Sequence, residues 1–275
     1  MVDQNSPTLF AGPIPKLYQD VLVPMIFRSY AEDLAGRWSP TTPSRVLEVA
    51  AGTGVLTRVL ARSLPATVDI VATDLNQPML DLAAEIGTDR SVEWREADAM
   101  ALPFPDGSFD AVFCQFGVMF FPDRPKAFAE VLRVLKPGGF FLFNTWDKIQ
   151  TNEFAHVVSL ALASVFPEDP PRFIERIPHG YFEAAQIESD LRAGGFEATP
   201  KIETVGRASV APSARMAAVA YCQGTPIRHD ITTRDASRLA EATAVAEEAL
   251  SERFGVGQIH GNIRAHVVVV SRIQS

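Results

Sequence analysis

The segment Val46-Leu47-Glu48-Val49-Ala50-Ala51-Gly52-Thr53-Gly54 constrains the fold more than any other part of the chain. An apolar run that passes through a turn of small residues into a helical pattern is the opening of a β–α unit in a parallel sheet. Only small side chains let the backbone of such a turn close on a ligand. The turn also leaves the first N–H groups of the helix without partners, so a phosphate or a carboxylate is the expected occupant of the space beyond the strand. Taken alone, the same residues also read as a plain tight turn.

The pattern then repeats along the chain. Short apolar runs predict strands over 46–49, 68–72, 92–95, 109–114 and 140–143, alternating with helical periodicity over 55–64, 77–86 and 124–135. Pro137-Gly138-Gly139 reads as the stop signal of the last of these helices. After Trp146 the rhythm breaks, and residues 147–182 read as an inserted lid carrying Phe154, Phe166, Phe173 and Tyr181. A sixth strand over 202–210, a long helix over 234–253 and a β-branched seventh strand over 265–270 follow. Ahead of the first strand, Leu17, Val21, Leu22, Met25, Ile26 and Leu34 approximate helical spacing, with Pro24 as a kink or boundary, and residues 1–15 read as an extended arm. The expected fold is a doubly wound α/β domain with a mostly parallel, seven-stranded, Rossmann-like sheet. Its parts are an N-terminal helical cap (1–43), a cofactor-binding core (44–146), the lid (147–182) and a C-terminal completion of the sheet with substrate-facing helices (183–275).

Two further carboxylates sharpen the reading. Asp74 ends the second apolar run, 74 − 54 = 20 residues past the small-residue turn. A carboxylate there can accept hydrogen bonds from both hydroxyls of a ribose, or cap the helix that follows. Asp98 follows the third run beside Ala99, Met100 and Leu102, where it can accept from an exocyclic amine while an apolar neighbour packs on a purine, or stand as an exposed acidic loop residue.

In order and spacing these residues resemble the class I S-adenosylmethionine-dependent methyltransferases over most of 44–146. The resemblance implies S-adenosylmethionine as cofactor, S-adenosylhomocysteine as product and methyl transfer to a small organic acceptor. It places Glu48, Ala50, Ala51, Gly52, Thr53 and Gly54 around the methionine moiety and Asp74 on the ribose, with Leu75 and Met79 in the same cofactor set. Asp98, Ala99 and Met100 fall to the adenine, and Gln115 beside the sulfonium. Ala50 departs from the pattern, since the family usually has its first glycine there.

For the acceptor, the aromatic residues Phe116, Phe120 and Phe121 follow the fourth strand, and Tyr18, Phe27 and Tyr30 lie on the N-terminal helices. They read as walls for an apolar or aromatic molecule or as ordinary core filling. Of five histidines, His179 in Pro178-His179-Gly180-Tyr181 is the first choice for a general base and His156 the second. Whether an oxygen, nitrogen or carbon is methylated stays open.

Composition removes other classes. With 33 acidic against 25 basic residues, the net charge of −8 disfavours nucleic acid and anionic lipid as partners. Two cysteines are too few for a disulfide scaffold, and no cluster with ligand spacing implies a metal. No apolar run reaches the ~20 residues of a bilayer span, and the N-terminus lacks the features of a signal peptide, so a cytoplasmic protein is expected, with a homodimer admitted. Two rival functions remain. A nicotinamide-dependent oxidoreductase would want a third small residue where Thr57 stands, and no tyrosine is followed by a lysine four residues on. A non-catalytic protein that binds S-adenosylmethionine for regulation would lack room for an acceptor.

Overall fold

The computed structural model describes Gly12, residues 14–40 and residues 44–274. Seven strands, β1 (Ser44–Val49), β2 (Val68–Asp74), β3 (Glu93–Glu96), β4 (Phe109–Gln115), β5 (Leu135–Trp146), β6 (Lys201–Ala211) and β7 (Ile259–Ser271), form one sheet in the order β3-β2-β1-β4-β5-β7-β6. The first five strands pair in parallel, and β7 runs antiparallel to both β5 and β6. Chain order reverses between β1 and β4, so the loops leaving these two strands diverge and open a crevice at their carboxyl ends.

Both faces of the central strands are covered, which is why β1, β2 and β4 read as continuous apolar runs. On one face Val46, Ile70, Ala111, Phe113 and Leu142 pack with Leu56 and Leu60 of helix Val55–Ser63. On the other, Leu47, Val71, Val112, Phe141 and Phe143 pack with Phe128 and Val131 of helix Arg124–Val134.

The N-terminal helical stretch starts at Ile14 and runs to Ala35 without a break. Pro24 does not end it. Its ring has no N–H and would crowd the carbonyl one turn back, and the helix accommodates it by widening to π-type turns over Tyr18–Phe27, with Arg28 N–H donating to Val23 O. The expected extended arm over 1–15 lies outside the described residues except at Gly12, Ile14 and Pro15, of which the last two already belong to the helix.

Three expectations change in detail. The Pro-Gly-Gly sequence does end the helix, yet β5 runs straight through it. Gly138 takes φ +78°, and the N–H of Gly138 and the N–H of Arg272 each donate across to the other segment, at Arg272 O and Gly139 O. Helix Glu153–Val165, in the first half of 147–182, packs on the sheet and lines neither cavity described below. Phe154, Val158 and Leu162, four residues apart on helix Glu153–Val165, are fully buried, and the Phe154 ring meets Phe254 of helix Leu239–Phe254 at 5.0 Å between centroids. A Cβ at Gly261 of β7 would lie 2.7 Å from the Phe154 ring, so this helix packs directly on the sheet. Finally, the long helix expected over 234–253 begins later, as Leu239–Phe254, and a separate helix, Ile227–Asp235, precedes it; the Asp235 carboxylate accepts from Ser237 N–H and turns the chain between them. An additional helix, Ala214–Gln223, precedes them.

Candidate active site

The turn after β1 is held in a conformation that few side chains tolerate. Ala50, Gly52 and Gly54 have φ of +56°, +56° and +77°. Asp74, at the end of the neighbouring strand, fixes the turn: its Oδ2 accepts from Gly52 N–H at 2.8 Å and its Oδ1 from Asn76 N–H at 2.8 Å. Burial raises the Asp74 carboxyl pKa, against the lowering effect of these N–H donors. Ala50, where glycine would carry no penalty, holds this left-handed conformation, and its methyl fits because Gly117 opposite it is bare. A Cβ on Gly117 would stand only 2.5 Å from the Ala50 Cβ.

Beyond the turn lies a cleft of about 870 Å3, counting the part open to solvent. It gathers, from the residues singled out in the sequence, Ala50 and Gly52 of the turn, Asp74, Leu75 and Met79 after β2, Asp98, Ala99 and Met100 after β3, and Gln115 at the end of β4. Tyr18, Phe116, Phe120 and Phe121 close it on the other side. Two buried acceptors have no partner in the protein, Gln115 Oε1 and Asn76 Oδ1, although the Gln115 amide donates to Phe27 O at 2.9 Å. Asp98 uses Oδ1 on Met100 N–H.

Four residues of the expected cofactor set do not reach the cleft: Glu48, Ala51, Thr53 and Gly54. They build its back. Glu48 is 1% exposed and hydrogen-bonded to Thr57 Oγ1, and burial pushes its carboxyl up to about 8, so it is neutral at pH 7 and braces the turn from below. Gly54 is bare because a Cβ there would come within 2.8 Å of the Trp94 ring.

A second cavity, of about 670 Å3, adjoins the first and shares three aromatic walls with it, Tyr18, Phe116 and Phe120. Phe116 is the centre of this partition. Its backbone sits at φ +52°, held by a hydrogen bond from its N–H to Asn144 Oδ1 at 2.9 Å, and its ring stacks on Trp146 at 3.8 Å and 11°. Phe27 lines the second cavity and stacks on Tyr18 at 4.9 Å. Tyr30 does not reach either cavity. It is fully buried, donates to Val205 O at 2.9 Å, and meets Phe116 and Trp146 edge-on from behind. His179 lines the second cavity, whereas His156, on helix Glu153–Val165, lines neither. The second half of 147–182 does face this space, through Phe173, Ile174, Pro178 and His179. Met119, Trp146, Tyr221 and Thr225 also line it and do not stand out in the sequence, since nothing local distinguishes them from core residues.

Among the described residues there is no group of three or more His, Cys, Asp or Glu side chains able to hold a metal ion, and no helix long and apolar enough to cross a membrane.

Comparison with known proteins gives a consistent picture. Residues 47–143 match a family described as a methyltransferase domain. The demethylmenaquinone methyltransferase of Thermus thermophilus is 45% identical over 115 residues, covering 41% of this chain and 50% of that protein. The enzyme of the same name from Deinococcus radiodurans is 36% identical over 163 residues, covering 58% and 67%. For most such curated relatives the match spans about half their length. Among solved structures, a Haemonchus contortus phosphoethanolamine N-methyltransferase 2, in complex with phosphomonomethylethanolamine and S-adenosylhomocysteine, superposes with a TM-score of 0.62 at 17% identity, covering 100% of this chain and 61% of that one. The [4+2]-cyclase SpnF does so with 0.57 at 23% identity, covering 90% and 82%. At these identities the structural matches speak for the fold alone.

Proposed function

Because the chain belongs to the class I S-adenosylmethionine-dependent methyltransferases, we propose that it transfers a methyl group from S-adenosylmethionine, held in the cleft behind Asp74, to a small apolar acceptor in the adjoining cavity. The observation that carries this reading is the common wall. Two cavities of ligand size meet at Tyr18, Phe116 and Phe120, so one molecule in each would have its reactive end at the same partition.

The residues of the cleft fit the cofactor by their chemistry. Asp74 Oδ2, whose donor is Gly52 N–H, keeps acceptor capacity for a ribose hydroxyl, while Oδ1 already takes the N–H and the side-chain amide of Asn76; Asp98 Oδ2 is open to the adenine amino group. The orphaned Gln115 Oε1 is a buried acceptor without a protein donor, a suitable neighbour for a cationic centre. When bound, the sulfonium supplies an electrophilic methyl group. The chain's own contribution is to hold two reactants against one partition and to exclude water with aromatic side chains, which lowers the barrier mainly through positioning.

The second cavity supports an apolar, flat acceptor, because its lining is carbon-rich and built on the Phe116–Trp146 stack. The two relatives compared above are named for demethylmenaquinone, and the flat ring of a reduced quinone, bearing hydroxyls, suits such a slot. The acidic balance of the chain supports a cytoplasmic enzyme of small molecules over one of nucleic acid.

Calorimetry with S-adenosylhomocysteine and NADH, together with transfer from methyl-labelled S-adenosylmethionine to a reduced naphthoquinone, tests the reading. Binding of S-adenosylhomocysteine, no binding of NADH and a labelled product are expected. Binding of NADH alone would return the nicotinamide alternative, and cofactor binding with no acceptor able to enter the second cavity would return the regulatory one.

A further inference from the structure

Most of the second cavity's lining is carbon, and the polar side chains among its lining residues are those of Tyr18, Trp146, Asn152, His179, Tyr221 and Thr225. Asn152 donates its amide to Asp147 O and Lys148 O and accepts from Arg264 N–H on its oxygen. Thr225 Oγ1 donates to Tyr221 O at 2.7 Å and accepts from Ile227 N–H. His179 is different. It is 7% exposed, and its Nδ1 lies 2.8 Å from the carbonyl oxygen of Asp147. A carbonyl only accepts, so Nδ1 carries the hydrogen, and the lone pair is on Nε2. Among the described residues no hydrogen bond to Nε2 is found.

The arrangement is rigid on both sides. Asp147 is tied to the sheet by its N–H, which donates to Arg264 O at 3.0 Å, and its carboxylate accepts from Lys148 N–H. The turn bearing His179 closes on itself through His179 N–H to Ile174 O, so tightly that a Cβ on Gly180 would fall 2.0 Å from Arg176 O. An imidazole with a fixed tautomer thus lines the cavity with Nε2 as its acceptor.

We propose that Nε2 of His179 is the group that selects and orients the acceptor, by accepting a hydrogen bond from a hydroxyl on the apolar ring that occupies this cavity. The ligand class is a phenol or other hydroxylated aromatic. This deepens the reading of the second cavity as the acceptor site and rests on it. An ether or a carbonyl at the same place would set acceptor against acceptor and leave both unpaired, which is the kind of mismatch a buried site rejects most strongly. Burial supports the assignment, since it lowers the pKa of His179 to about 4 and keeps the ring neutral across the physiological range.

Binding of 1-naphthol and of 1-methoxynaphthalene, measured by calorimetry on the full chain saturated with S-adenosylhomocysteine, separates the outcomes. The wild-type protein should prefer the naphthol by about tenfold or more. His179→Leu should bind the two within about twofold of each other while binding S-adenosylhomocysteine as the wild type does, and His179→Gln, which restores an acceptor oxygen, should recover part of the preference. A preference that survives in His179→Leu, or that disappears in Tyr221→Phe instead, overturns the proposal, as does equal binding or no binding of the two naphthalenes by the wild type. Failure of the wild type to bind S-adenosylhomocysteine sinks the methyltransferase reading itself.

Discussion

Replacing Glu48 with Gln should make the protein more stable, and by an amount that grows with pH. The Glu48 carboxyl is buried beneath the turn after β1. Burial raises its pKa from 4.5 to about 8, only partly offset by the Thr57 hydrogen bond and the nearby Arg58 charge, while Asp74 adds to the rise. In the folded protein the group therefore stays protonated at neutral pH, whereas in the unfolded chain it ionises above its ordinary value. The unfolded state releases a proton that the folded state keeps, so stability is fully present below pH 4.5 and is lost as pH rises towards 8. Between pH 5 and pH 8 the integrated loss is on the order of 3 kcal/mol, at 1.36 kcal/mol for each pH unit fully counted. Gln is nearly isosteric with the protonated acid, keeps a partner for Thr57 Oγ1 and does not titrate. Urea unfolding of both proteins at pH 5, 6, 7 and 8 should show similar stability at pH 5 and a widening advantage for Glu48→Gln above it. Groups that do not interact with Glu48 titrate alike in both proteins and cancel. A difference that stays constant from pH 5 to pH 8 would refute the claim that this carboxyl is neutral in the fold.

Asp74→Ala should weaken binding of S-adenosylhomocysteine by at least about tenfold by calorimetry, since each hydrogen bond to a carboxylate contributes roughly 1.5–3 kcal/mol; unchanged affinity would leave Asp74 as only the anchor of Gly52 and Asn76. Gly117→Ala should cost about 1–3 kcal/mol in thermal or urea unfolding, because its Cβ would meet the Ala50 Cβ at 2.5 Å and the Cys114 Sγ at 2.7 Å. Adding Ala50→Gly should restore part of that loss and also relieve the left-handed strain at Ala50, and no restoration would show that the two sites are not coupled. His179 has its pKa lowered by burial, with the Asp147 hydrogen bond opposing, so protonation favours the unfolded chain as pH falls from 6.5 towards about 4. His179→Leu should therefore gain on the order of 2 kcal/mol relative to wild type between pH 7 and pH 4.5, and parallel pH profiles would contradict a neutral buried imidazole.

The parts of this molecule that could be read from sequence are those set by local pattern. Strands β1, β2 and β4 are apolar on both faces, so their runs stand out, and the small-residue turn with Asp74 and Asp98 at the following strand ends marks the cleft before any coordinate is known. Where local pattern is silent, the reading failed for physical reasons. Helix Glu153–Val165 was assigned to a lid because an interruption of the β–α rhythm looks the same whether the inserted residues cover a ligand or the sheet; only the contact of Phe154 with Gly261 and Phe254 decides it. Tyr30 shares helical spacing with Phe27, yet its hydroxyl is committed to carbonyls of β6 and β7, which lie far away in the chain. Glu48 and Gly54 belong to the motif but serve its back, and a motif does not say which of its residues face outward. Trp146 and Tyr221 reach the second cavity through tertiary packing alone.

A crystal structure of the protein with S-adenosylhomocysteine tests the central claim most directly. The account predicts density in the cleft between Asp74, Asp98 and Gln115, with the ribose hydroxyls on the Asp74 carboxylate, the adenine beside Asp98 to Met100, and the sulfur turned toward the wall of Tyr18, Phe116 and Phe120. Density that leaves Asp74 uncontacted, or a sulfur atom facing away from that wall, would contradict it.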